Sequence, residues 1–88
     1  MYIEVQDHGE NKGKVILVTI DRQIYLNKNL SSLLEILPRQ FIRVSRFLII
    51  NLDHLDFYDH SDHCLYLKGL NRYFGVGSAY EKTVLNSI

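Results

Sequence analysis

The sequence predicts a mainly β fold, with antiparallel sheets carrying two short helices. Short runs of two-residue alternation separated by turn residues fill most of the chain, while two segments instead repeat apolar residues at helical spacing. The resulting order is strands, helix, strands, helix, without the regular strand and helix alternation of a parallel sheet. A chain of 88 residues forms one domain over residues 1–88, burying roughly two-thirds of its unfolded surface and so depending on good packing.

Residues 2–6 and 14–20 have strand character, and the His8-Gly9-Glu10-Asn11-Lys12-Gly13 segment between them holds the Gly and Asn of a hairpin loop. After the short Asp21-Arg22 link, residues 23–26 resume strand character, which leaves room only for a tight turn. Leu30, Leu33, Leu34 and Leu37 then fall at i, i+3, i+4 and i+7, with Asn29 as N-cap and Pro38 just past the end: the first helix. Residues 55–58, the polar turn 59–62 and residues 64–68 read as a second hairpin. Gly69-Leu70-Asn71 turns the chain into a last strand over residues 72–76. Ser78-Ala79-Tyr80-Glu81 matches a capping box, and Tyr80, Val84, Leu85 and Ile88 give the terminal helix one apolar stripe.

The run Phe41-Ile42-Arg43-Val44-Ser45-Arg46-Phe47-Leu48-Ile49-Ile50-Asn51-Leu52 sets two arginines in an apolar stretch. In one straight strand, Arg46 would share a face with Ile42, Val44, Leu48 and Ile50. An unpaired buried guanidinium costs several kcal/mol, so the chain should bend near Ser45 and deliver Arg46 to solvent or to an anionic partner.

Composition narrows the function classes. No run approaches the ~20 apolar residues of a membrane span, and the start Met1-Tyr2-Ile3-Glu4-Val5 is unlike a signal peptide, so a cytoplasmic location without membrane association is expected. Cys64 is the single cysteine, which excludes an intrachain disulfide. Net charge is formally zero, against the strongly basic balance common among nucleic-acid binders. The distribution is uneven. Residues 21–46 hold Arg22, Lys28, Arg39, Arg43 and Arg46 against Asp21 and Glu35, whereas residues 47–66 hold Asp53, Asp56, Asp59 and Asp62 with no Lys or Arg.

The run 41–52 resembles the signature of LytTR (LytR/AlgR-type) DNA-binding domains, roughly F-x-R-x-H-R-S-aromatic-x-V-N. Leu33 to Leu37 followed by Pro38 matches the helix before that signature. Tyr2-Ile3-Glu4 resembles the family's Y-I-E segment, and Val76-Gly77-Ser78-Ala79-Tyr80 its V-S-R-x-Y segment. The resemblance covers nearly the whole chain, in a short form lacking the family's usual N-terminal strands. It implies a bacterial transcription regulator, often the output domain of a response regulator, that binds double-stranded DNA at promoter repeats in pairs. It also implies that loops enter the major groove: here residues 8–14, the Ser45-Arg46-Phe47 turn and Gly77-Ser78-Ala79. Ser45 stands where the pattern has His, Phe47 where it has Ser, and Ser78 where it has a base-contacting Arg. With the upstream strands missing, the N-terminal strand is expected to present an open edge and to support a homodimer.

The candidate DNA-binding residues are Arg46, Arg43, Ser45, Lys14, Lys12, Ser78, Arg72 and Lys82. Arg46 on a bent loop can fork to guanine O6 and N7 or to phosphate; the alternative is a salt bridge to a nearby Asp. Arg43 fits a structural role at the sheet edge as well as a phosphate contact. Lys12 and Lys14 flank the first loop, and Arg72 and Lys82 the last, where they would meet phosphates or only solvent. Ser78 fits either a DNA hydrogen bond or a helix cap.

The tract Asp53-His54-Leu55-Asp56-Phe57-Tyr58-Asp59-His60-Ser61-Asp62-His63-Cys64 is rich in metal-ligand types but lacks a C-x-x-C pair or an H-E-x-x-H helix, so no metal or other cofactor is expected. Cys64, between apolar neighbours, reads as a buried inert thiol, and no catalytic constellation is present. The expectation is sequence-specific DNA binding in transcription regulation without enzymatic activity. The alternative is a degenerate LytTR-like protein-interaction module that modulates another regulator, its protein partner, without binding DNA.

Overall fold

The structure, a computed structural model, describes residues 2–6, 13–19 and 21–88. Five strands form one antiparallel sheet: β1 (Tyr2–Val5), β2 (Val15–Val18), β3 (Gln23–Leu26), β4 (Phe41–Ser45) and β5 (Leu48–Asn51), in the order β3-β2-β1-β5-β4. A second sheet holds β6 (Leu55–Asp59), β7 (Cys64–Leu67) and β8 (Tyr73–Gly75) in sequence order. Helix α1 (Leu30–Ile36) joins β3 to β4, and α2 (Glu81–Ser87) closes the chain.

The two faces of the five-stranded sheet are both covered. On one face, Ile3, Val15 and Ile49 pack with Leu30 and Leu33 of α1. On the other, Tyr2, Ile42, Val44, Leu48 and Ile50 pack with Leu65, Leu67 and Phe74 of the second sheet and with Val84 of α2. Helix α1 starts as its sequence dictates, the Asn29 side chain accepting from the Ser32 backbone N–H at 2.8 Å. Its apolar stripe is narrower than the leucine spacing suggests: Leu30 and Leu33 are buried, whereas Leu34 is exposed.

The bend expected near Ser45 is a complete reversal at Arg46 and Phe47 between two strands, with Ser45 paired to Leu48, a bulge between Arg43 and Ser45, and Arg46 exposed. Three expectations are corrected. The N-terminal strand is no open edge, because β1 is hydrogen-bonded to β2 on one side and to β5 on the other; the edges are β3 and β4. The capping box at Ser78 does not form. Ser78–Tyr80 is a 3-10 turn entered from Gly77 without a side-chain cap, and α2 starts after Tyr80. Of the proposed stripe of α2, Val84 is buried while Leu85 and Ile88 are exposed. The expected loop at residues 8–12, with Lys12, lies outside the described residues.

Cys64 is buried beneath the outer side of the second sheet, and burial pushes its thiol pKa up, with Asp59 and Asp62 adding to the rise. Burial likewise raises the phenols of Tyr2, Tyr58 and Tyr66. Each of these groups is neutral when protonated, and the folded chain keeps the proton to higher pH than the unfolded one. Stability is therefore complete below the unfolded values, about 8.5 for a thiol and about 10 for a phenol, and falls as pH rises past them. Urea unfolding at pH 7, 9 and 10.5 should show this decline, and Cys64→Ala should remove its earlier part. In the same assay at pH 7, Ile50→Ala should cost about 2 to 5 kcal/mol and Leu85→Ala within about 0.5 kcal/mol, because only the first opens a core cavity.

Candidate nucleic-acid interface

One end of the five-stranded sheet gathers the chain reversals that the sequence singles out. The C-terminal end of β1 lies beside the start of β5, and the Val5 N–H donates to the Phe47 carbonyl at 2.9 Å. The Gln6 N–H donates to the Lys14 carbonyl at 2.9 Å, and the Gly13 N–H returns to the Gln6 carbonyl at 2.8 Å, so the base of the first loop is fixed next to the β4–β5 tip. From the other side, the Gly77 N–H donates to the Val44 carbonyl at 2.8 Å. This contact uses the carbonyl at the bulge. Gly77 approaches closely: a Cβ there would stand 3.3 Å from the Tyr80 ring, a tight contact, and 3.6 Å from the Ser45 Cα.

Arg46 sits in the turn between β4 and β5. It is exposed, its guanidinium lies 5.5 Å from the centre of the Phe47 ring, and among the described residues it makes no ion pair. The salt-bridge alternative for Arg46 is thus absent among those residues. Ser45 shapes the turn: its Oγ accepts from the Phe47 N–H at 3.2 Å. Arg43 is half-buried and donates to the carbonyls of Ser45 at 3.2 Å and Arg46 at 2.9 Å and to Ser31 Oγ at 3.1 Å, with its guanidinium 5.7 Å from the Tyr80 ring centre.

Lys14 is exposed at the base of the first loop, Ser78 is exposed in the 3-10 turn, and Lys82 is exposed in the first turn of α2. Arg72 is engaged elsewhere. Its guanidinium donates to the Tyr2 hydroxyl at 3.3 Å and to Glu4 Oε2 at 3.2 Å and stacks 4.4 Å from the Phe74 ring centre, fastening β8 onto β1. Asn51 is also spent internally, accepting from the Asp53 N–H at 2.9 Å.

The acidic and histidine tract forms the β6–β7 hairpin. Asp59 Oδ1 accepts from the backbone N–H groups of Ser61 and Asp62 at 2.9 and 3.2 Å. His63, held at φ 52°, places Nδ1 2.6 Å from Glu81 Oε1, an oxygen that also accepts from the Tyr58 hydroxyl at 3.3 Å. These contacts pin α2 to the second sheet. On that sheet's outer face exposed Phe57 stacks on half-buried Tyr66 at 4.4 Å, and exposed Tyr73 lies 6.1 Å beyond, a row with no counterpart in the sequence expectations although residues 57, 66 and 73 sit on three consecutive strands. Ser31 is a further support of this end that the sequence does not single out, because a polar residue in a helix's first turn is too common to mark it; Gly77, in a loop that the family resemblance names, adds its bond to Val44.

The model of one family, the LytTr DNA-binding domain, matches residues 2–88. The chain belongs to that family. Its fold is that of a solved LytTr DNA-binding domain from a Bacillus cereus protein described as a methyl-accepting/DNA response regulator, with a TM-score of 0.83 and 22% identity over 99% of this chain and 78% of that one. No curated protein matches. LytTR membership makes the chain a DNA-binding module of transcription regulation, with double-stranded DNA as its partner. No helix among the described residues is long and apolar enough to cross a membrane.

The assignment of Arg72 as an inter-sheet tie is open to a direct check. Arg72→Ala should lower unfolding free energy by about 1 to 2 kcal/mol through loss of the stack on Phe74 and of the bonds to Tyr2 and Glu4, read by urea denaturation.

Proposed function

We propose that this LytTR domain reads promoter DNA in the cytoplasm by inserting the loops at one end of its five-stranded sheet into the major groove, two copies serving successive repeats. Arg46 is the principal reading residue. Its exposure at the tip without an ion pair among the described residues is the observation that carries this assignment, since a guanidinium left unpaired on an ordered turn is poised for a bidentate bond to guanine or phosphate. Lys14 and Lys82 stand where they can meet phosphates on either side of the tip, and Lys12 belongs to the same loop in sequence. Ser78, with no side-chain cap to serve, keeps its hydroxyl for DNA. Ser45 acts through the shape of the turn, and Arg72 through the sheet contact. No catalytic step is assigned to any of these residues.

A second reading, a module that binds another regulator, draws on the row of exposed Phe57 and Tyr73 about half-buried Tyr66, because stacked aromatics on an open sheet face suit a protein surface. It places no demand on Arg46.

Fluorescence anisotropy separates the two. The domain is titrated with a duplex that it selects from a random library and with a scrambled duplex, across a salt series. Groove reading predicts that log affinity falls as log salt rises and that Arg46→Ala loses about 1 to 3 kcal/mol of discrimination between the duplexes. Absence of binding to either duplex at low salt would leave only the second reading standing.

A further inference from the structure

We propose that Arg43 is a positioning residue that fixes the backbone beneath Arg46, and that Ser31 in the first turn of α1 is its anchor; the proposal rests on the groove-reading function above. An arginine carries five N–H donors in a rigid fork, and Arg43 spends three of them on Ser45 O, Arg46 O and Ser31 Oγ. The first two acceptors are the carbonyls of the peptides on either side of Arg46, so one planar group is bonded to the backbone before and after that residue. The tip requires such support. Two-residue hairpin loops favour turns with positive φ, yet among the described residues the positive-φ positions are His63, Gly13 and Gly69, so neither Arg46 nor Phe47 adopts that conformation. The bulge between Arg43 and Ser45 adds local twist, and its carbonyl is held by Gly77.

The anchor links the tip to an element on the opposite side of β4. Ser31 lies next to Leu30, which is locked in the core under α1, so the Ser31 hydroxyl is a fixed point from which the guanidinium is aimed. A lysine in place of Arg43 keeps the charge but offers one nitrogen, which cannot reach both carbonyls and the hydroxyl together. Charge retention and positioning are therefore separable by substitution.

The test uses the selected and scrambled duplexes in a salt series with Arg43→Lys, Arg43→Gln, Ser31→Ala, Arg46→Ala and the Arg43→Gln/Arg46→Ala double variant, together with backbone amide exchange of the DNA-free domain. Positioning predicts that Arg43→Lys and Arg43→Gln each lose roughly tenfold in preference for the selected duplex with the wild-type salt slope retained, and that Ser31→Ala loses less. In the double variant, Arg43→Gln should add under about threefold to the loss from Arg46→Ala, since both act through one contact. A salt slope reduced by about one unit, with both duplexes weakened equally, would instead make Arg43 a phosphate contact and overturn the proposal. Amide exchange reads the clamp without DNA. Faster exchange at Phe47, with Ile49 and Leu65 still protected, is the expected result, and unchanged exchange at Phe47 in both Arg43 variants overturns the proposal even where groove reading holds.

Discussion

Strand β5 has no face to spare. Ile49 points into the layer under α1, while Leu48 and Ile50 point into the layer shared with the second sheet, and all three are buried. A strand enclosed on both faces cannot carry an unpaired charge, whose desolvation would cost several kcal/mol. Arg46 lies two residues before that strand and Arg43 three before Arg46, so the chain must reverse where the charge begins. The position of Arg46 is thus a consequence of packing. The same hydrophobic run that holds the two layers together ejects Arg46 at the end of the sheet.

Around that point the backbone supplies the order. Val5 holds Phe47, Gly77 holds Val44, and the Arg43 fork holds Ser45 and Arg46, so residues distant in sequence meet at a single tip. Every acceptor in these contacts is a backbone carbonyl, so they place no demand on the side chains of Ser45, Phe47 and Ser78, where the chain departs from the family pattern. The cations are fewer than the sequence suggests. Arg72 is committed to Glu4, Tyr2 and Phe74, and Arg43 to the tip, leaving Arg46, Lys14 and Lys82 among the described candidates to face an anion. Formal net charge is zero, so the overall field gives these few groups little help in attracting an anion.

The fold class was legible because local signals agree with the packing: Asn29 caps α1 as its type requires, and the two-residue alternation of residues 2–5 sorts Ile3 from Tyr2 onto opposite layers. Arg46 was legible for the same reason, as a charge in a run where none can be buried. Other features were not. The reversal at Arg46 and Phe47 has no Gly, Asn or Pro; it is held by local bonds from Arg43 and to Ser45 that no turn signal marks, and by Ser31, twelve residues before Arg43. Ser78 has the spacing of a capping box, but Gly77 is drawn onto Val44 and the chain enters α2 through a 3-10 turn, which removes the geometry that a cap needs. The placement of β1 between β2 and β5 is set by long-range pairing, and so the edge expected from the missing upstream strands is the centre of the sheet.

The central claim is that one end of the five-stranded sheet is a preassembled DNA-facing surface. Mapping amide chemical shifts while a selected DNA duplex is added to the isotopically labelled domain tests it most directly. The account predicts that the largest changes cluster at Lys14, residues 45–47 and residues 77–80, with Phe57, Tyr66 and Tyr73 unaffected. Changes concentrated on that aromatic row, with residues 45–47 silent, would contradict it.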